Sequence, residues 1–251
     1  MQAKTDSAEI IKPESKPWGF WTTIGFSLII SIAYLLSIIV FTVIYLFISE
    51  FLIPEINIYE YSRSLDSNGF YLALSTLFAA PFMIGLVILF SYLRKGIPVR
   101  QYLCLYKPSL KELFKWLFIQ LLFIVGSDTL TLLMGRSVVP DWMVNVYETS
   151  LFTPLLWFAL IVVAPLGEEI FFRGFLFNGI ENSKVGSLGA IFISAFFWSI
   201  IHIQYDIYGI SSIFVGGLIL GLARAKSKSV YVPITMHGLM NLVASLEVAV
   251  L

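Results

Sequence analysis

The chain has 251 residues, 58% of them apolar and 13% charged, and its 16 Lys+Arg balance 16 Asp+Glu. Soluble domains are about 45–50% apolar and about 25% charged, and nucleic-acid binders carry a cationic excess. Composition therefore excludes an ordinary soluble enzyme, a disordered regulator and a nucleic-acid partner. A single cysteine, Cys104, excludes an internal disulfide and a zinc-ribbon cluster.

A mean hydropathy of +0.87 leaves a polytopic membrane protein. The fold class expected is all-α: a helical membrane bundle of about seven spans, each needing about 20 residues to cross the hydrocarbon. In chain order, residues 17–49 and 67–93 carry no charge, and 116–135 carry only Asp128. Residues 149–167 and 207–223 carry none, 185–205 hold only His202, and 229–246 hold only His237. Backbone groups in lipid must bond within their own segment, so these runs read as helices. They are too long for barrel strands and do not alternate. The first run is too long for a signal peptide and is read as a retained helix. Ser109 and Glu112 have capping-box spacing and place the third helix start near Leu110.

The division expected is a tail over 1–20, three helices with their loops over 21–148, and a four-helix core over 149–251. The start of the tail is expected to be disordered. Lysine and arginine gather on one side. That side has Lys4, Lys12 and Lys16 in the tail, then Arg94, Lys95, Arg100, Lys107, Lys111 and Lys115, then Lys184, Arg224, Lys226 and Lys228. The other side has only Arg63 and Arg136. This asymmetry predicts a cytoplasmic N-terminus and an external C-terminus in the cell (plasma) membrane. Gly217 and Gly221 have GxxxG spacing and point to close helix packing. Pro81 and Pro165 interrupt spans, and the carbonyl that Pro165 frees is expected to line a polar cavity.

Ionisable groups within a bilayer are expensive and usually functional. Glu168 and Glu169 are adjacent on the fourth helix, and Arg173 lies four residues after Glu169, on the same face. Glu168 projects about 100° away, free for proton chemistry. A plain Glu–Arg pair would need only one acid. His202 follows Trp198 by four residues; the alternative to a working histidine is an interfacial one beside a Trp anchor. Asp206, one turn on, either orients the imidazole or caps the span. His237 and Asn241 share a face and could direct two donors at an oxyanion. These groups suit either a hydrolytic site without metal or a zinc site made of Glu168, His202 and His237.

Depth strains this picture. At about 1.5 Å per residue, Glu168 lies about 15 Å from a helix end near Asn178, and His237 about 12 Å from Ser229. His202 lies about 24 Å from a start near Gly186. Either the fifth helix starts deeper or tilts, or the fourth ends later.

The succession Glu-Glu-x-x-x-Arg, aromatic-x-x-x-His and His-x-x-x-Asn resembles the CAAX prenyl protease and bacteriocin-processing (CPBP, or Abi) intramembrane protease family, over roughly residues 150–245. Trp198 stands where that family usually has Phe, and Asp206 where the CAAX branch often has Asn. The resemblance implies peptide-bond hydrolysis of a membrane-associated substrate, with the lipid bilayer and a peptide or protein as partners. Glu168 and His202 would activate water, His237 and Asn241 would hold the oxyanion, and Glu169 and Arg173 would order the site. Zinc or metal-free catalysis stays open. A non-catalytic relative giving bacteriocin self-immunity or scaffolding a membrane partner is the alternative, and a carrier with an acid–histidine relay is a third. Asp128 has no assigned role.

Overall fold

The computed structural model describes residues 16–250. Most of the tail, with Lys4, Lys12 and the expectation of disorder there, lies outside the described residues. No strand occurs among the described residues. Six helices are long and apolar enough to cross a membrane: α1 (Phe20–Leu52), α2 (Gly69–Leu93), α3 (Leu110–Leu133), α4 (Thr153–Glu181), then Ile207–Ser227 and Tyr231–Ala249. Between the fourth and fifth of these lies a shorter apolar helix, α5 (Gly186–Ile200). The last two are α6 and α7. The chain is thus a multi-pass helical membrane protein.

α1 lies on the outside against α2 and α4, and Phe47 and other large apolar groups on it are exposed. In water this would be a liability; in lipid it is the expected surface. α1 meets α4 where Gly179 lacks a side chain, since a Cβ there would come within 2.0 Å of Thr23 Oγ1. α3 starts at Leu110, with the Glu112 N–H donating to Ser109 Oγ at 3.2 Å. Only half of the box forms. The Glu112 carboxylate instead accepts from Lys115 Nζ at 2.9 Å and Trp116 Nε1 at 2.6 Å.

α4 is the central element and it is not a uniform helix. π-helical turns occupy Ala159–Val163 and Ile170–Leu176, on either side of the α-helical stretch that holds both acids. Pro165 has no N–H to give the preceding turn. The Leu160 carbonyl is bonded across the helix pair, by Asn241 Nδ2 of α7 at 2.7 Å. α7 comes close enough because Gly238 has no Cβ; one there would sit 2.9 Å from the Ile161 carbonyl oxygen.

α5 has 15 residues, spanning about 22 Å against a hydrocarbon core of about 30 Å. It packs antiparallel along α6. The GxxxG reading holds there: a Cβ on Gly217 would meet Ala195 Cα at 3.1 Å, and one on Gly221 would meet Ile191 Cα at 3.3 Å.

Two boundaries correct the sequence reading. α4 continues to Glu181 rather than ending near Asn178, and α5 ends before His202, which lies on the link to α6 rather than within a span. The later end of α4 puts Glu168 about 20 Å from it, close to the depth of His202. The start of α7 is tied to the loop before α3: Val230 N–H donates to Cys104 O at 3.1 Å, Ser229 Oγ donates to Tyr106 O, and Val230 is fully buried.

Candidate active site

α4 presents Glu168, Glu169 and Arg173; the α5 end presents Trp198 and His202; α7 presents His237 and Asn241. Glu169 and Arg173 are both 0% exposed and joined by Arg173 Nη1 to Glu169 Oε1 at 2.8 Å. The i, i+4 spacing brings them together. The same Glu169 oxygen accepts from His237 Nδ1 at 3.0 Å. Arg173 Nη2 donates to the Gly217 carbonyl at 3.3 Å, and its guanidinium lies 4.7 Å from the Trp198 ring centre. A charge this deep persists only when paired and hydrogen-bonded, and here one carboxylate meets a guanidinium and an imidazole, while the guanidinium lies on an indole face.

Glu168 has a different setting. It is half-buried, and its Oε2 accepts from Trp198 Nε1 at 2.6 Å. Trp198 itself is completely buried, which overturns its reading as an interfacial anchor. Its backbone carbonyl is 2.7 Å from His202 Nδ1. A carbonyl can only accept, so Nδ1 carries a proton, and in the neutral form of the ring the lone pair is on Nε2. His202 and His237 each pack edge-on against the Trp198 indole, with centroids 5.1 Å away in both cases. Thus Trp198 touches Glu168, Arg173, His202 and His237. Sequence reading treated it as an aromatic neighbour of His202; the signal available was an indole one turn from a histidine, and its direction could not be read from spacing.

Asn241 is half-buried and engages the α4 backbone through one amide proton, leaving its second amide proton for another acceptor. Asp206 does not orient His202. It caps α6, with Gly209 N–H donating to Oδ1 at 2.9 Å, and pairs with Arg136. The Gly209 N–H, with Arg136 beside it, holds the Asp206 carboxyl below the usual carboxylate range. Asp128 faces Glu247 of α7 and joins none of these groups.

Whether Glu168, His202 and His237 could hold zinc is a question of convergence. Among the described residues no three His, Cys, Asp or Glu side chains lie close enough to share one metal ion. Both imidazoles are packed on Trp198 with their Nδ1 atoms hydrogen-bonded, which leaves Nε2 of each as the nitrogen open to a further partner.

Residues 150–243 match the family model described as type II CAAX prenyl endopeptidase, Rce1-like. This part of the chain is similar to that family. The match encloses all seven residues from Glu168 to Asn241 described above. An uncharacterized protein of Mycoplasma capricolum is 29% identical over 119 residues, covering 42% of this chain and 34% of that protein. An uncharacterized 24.3 kDa protein of Escherichia coli is 32% identical over 81 residues, covering 31% of this chain and 37% of that one. The chain spans about a third of the length of these curated relatives. No solved structure matches the chain.

Proposed function

We propose that the Rce1-like region, within the core at 149–251, is an intramembrane endopeptidase that hydrolyses a peptide bond of a membrane-associated substrate with a water activated by Glu168 and His202. The observation that carries this reading is the unequal treatment of two adjacent acids. Glu169 is sealed and neutralised by Arg173, whereas Glu168 is half-buried and bonded to a neutral indole. One acid holds the architecture and the other is left for proton transfer.

The reaction follows from the atoms that remain unspent. A water between Glu168 and the lone pair of His202 Nε2 gives its proton to the Glu168 carboxylate as its oxygen attacks the carbonyl carbon. The oxyanion that forms is held by the free Asn241 amide proton and by the His237 imidazole. Glu168 then returns the proton to the amide nitrogen, the C–N bond breaks, and a carboxylic acid and an amine leave, the acid passing its remaining proton to the amine. Glu169 and Arg173 are positioning residues here, since they reach the reacting atoms only through His237 and Trp198.

The test is cleavage of fluorogenic peptides, with and without a farnesyl group near the C-terminus, by purified protein in detergent. Glu168→Gln keeps the shape and removes the base; general-base loss lowers kcat by about 10²–10⁴ with KM little changed. Full activity in Glu168→Gln would end the proposal. A chelator arm reports metal dependence, and the farnesyl arm assigns the substrate to prenylated or unmodified peptides.

A further inference from the structure

Away from this site, a groove opens between the beginnings of α3 and α7 on the lysine- and arginine-rich side. Its cavity is about 580 Å³, with Leu113, Tyr231 and Thr235 along the helices and Arg100 and Lys107 at the mouth. A second hollow of about 730 Å³ shares Lys107 and Pro108 with it and adds Lys115 and Lys226. The one acid lining either hollow is Glu112, already bonded to Lys115 and Trp116. Among the described residues, Arg100, Lys107 and Lys226 form no ion pair.

This combination has one natural complement. The wall is apolar and belongs to two membrane-spanning helices, so it faces acyl chains. The mouth is cationic and lies at the loop level, where phosphates of the bilayer surface sit. Basic pockets between spans are built for anionic head groups. We propose that this groove binds one anionic phospholipid, its phosphate held by Arg100 and Lys107 and an acyl chain lying along Leu113, Tyr231 and Thr235. The site is separate from Glu168 and His202 and stands whether or not the chain is a protease. Its occupant braces the start of α7, one to two turns before His237.

Full-length protein in a neutral detergent, titrated with phosphatidylglycerol, phosphatidylcholine or inorganic phosphate, tests this by native mass spectrometry of retained ligand. Phosphatidylglycerol is expected to be retained and the other two not. Each lost cation near a lipid surface is worth about 1 kcal/mol, so Arg100→Gln with Lys107→Gln weakens retention roughly thirtyfold. Lys95→Gln with Lys184→Gln removes the same charge from the same side but outside the groove, and should leave retention unchanged. Leu113→Trp fills the apolar half and should block phosphatidylglycerol. Both double variants must keep the wild-type melting midpoint in neutral detergent, which sets aside misfolding. Three results would each overturn the proposal: equal retention of phosphatidylcholine, equal retention of inorganic phosphate (a free-anion site instead), or equal weakening in the two double variants (a general surface potential instead).

Discussion

The indole nitrogen of Trp198 and the guanidinium of Arg173 divide Glu168 and Glu169 between two environments. Trp198→Phe keeps an aromatic ring against both imidazoles and Arg173 but removes the donor to Glu168. A hydrogen bond to a charged group is worth about 1.5–3 kcal/mol, so kcat for peptide cleavage should fall by about tenfold or more while KM changes little. Unchanged kcat would show that the indole only fills space. Glu169→Ala is different in kind. It strands a fully buried Arg173, and such a loss costs about 3–5 kcal/mol. Thermal unfolding in detergent should show a severely destabilised protein, whereas Glu168→Gln should melt like wild type.

At the scale of elements, the site depends on how closely α6 and α7 approach α4 and α5. Gly217 supplies both a gap and a carbonyl: a Cβ there would meet Trp198 at 3.0 Å, and its oxygen accepts from Arg173. Gly217→Val therefore overpacks the α5–α6 seam, at a cost of about 1–3 kcal/mol, and should lower activity by displacing Trp198. Gly126 of α3 has open space around its Cβ position. Gly126→Ala should be neutral or stabilising by about 0.5–1 kcal/mol, since it removes only helix-disfavouring backbone freedom. Melting midpoints of the two variants should move in opposite directions. The Asp206 cap adds a pH dependence with a defined sign. Its carboxyl is held below the usual range by the Gly209 N–H, so its stabilisation is present at neutral pH and is lost as pH falls through its own titration. Amide exchange at Gly209 should gain protection loss in that acid range, and Asp206→Ala should show the same fast exchange at neutral pH.

For the whole molecule, the charge asymmetry predicts an orientation that the native cysteine tests directly. Cys104 lies between α2 and α3, in the stretch that carries Arg94, Lys95, Arg100 and Lys107, and it is partly accessible. In intact cells a membrane-impermeant maleimide should leave Cys104 unlabelled until the membrane is opened. In a Cys104→Ser background, Lys184→Cys should behave like Cys104, and Glu148→Cys should label from outside. The reverse pattern would invert the proposed topology and put the lipid groove in the other leaflet.

The apolar runs, their order and the all-helical class were legible because hydropathy is local: a run without charge and about 20 residues long must hydrogen-bond within itself in lipid. The polar residues Glu168, Glu169, Arg173, His202, His237 and Asn241 were legible for the same reason, since each interrupts an apolar setting or borders one. The Glu169–Arg173 pair followed from helix period alone. What the tertiary structure decided was partnership across helices. His237 turns to Glu169, Asn241 to the Leu160 carbonyl, and Trp198 to Glu168. Those choices rest on α4 ending at Glu181, α5 stopping before His202 and two π-turns rotating the acids of α4. A sequence pattern repeats along one helix axis, whereas the rotation and axial shift between two helices are set by packing, and packing places the side chains that meet.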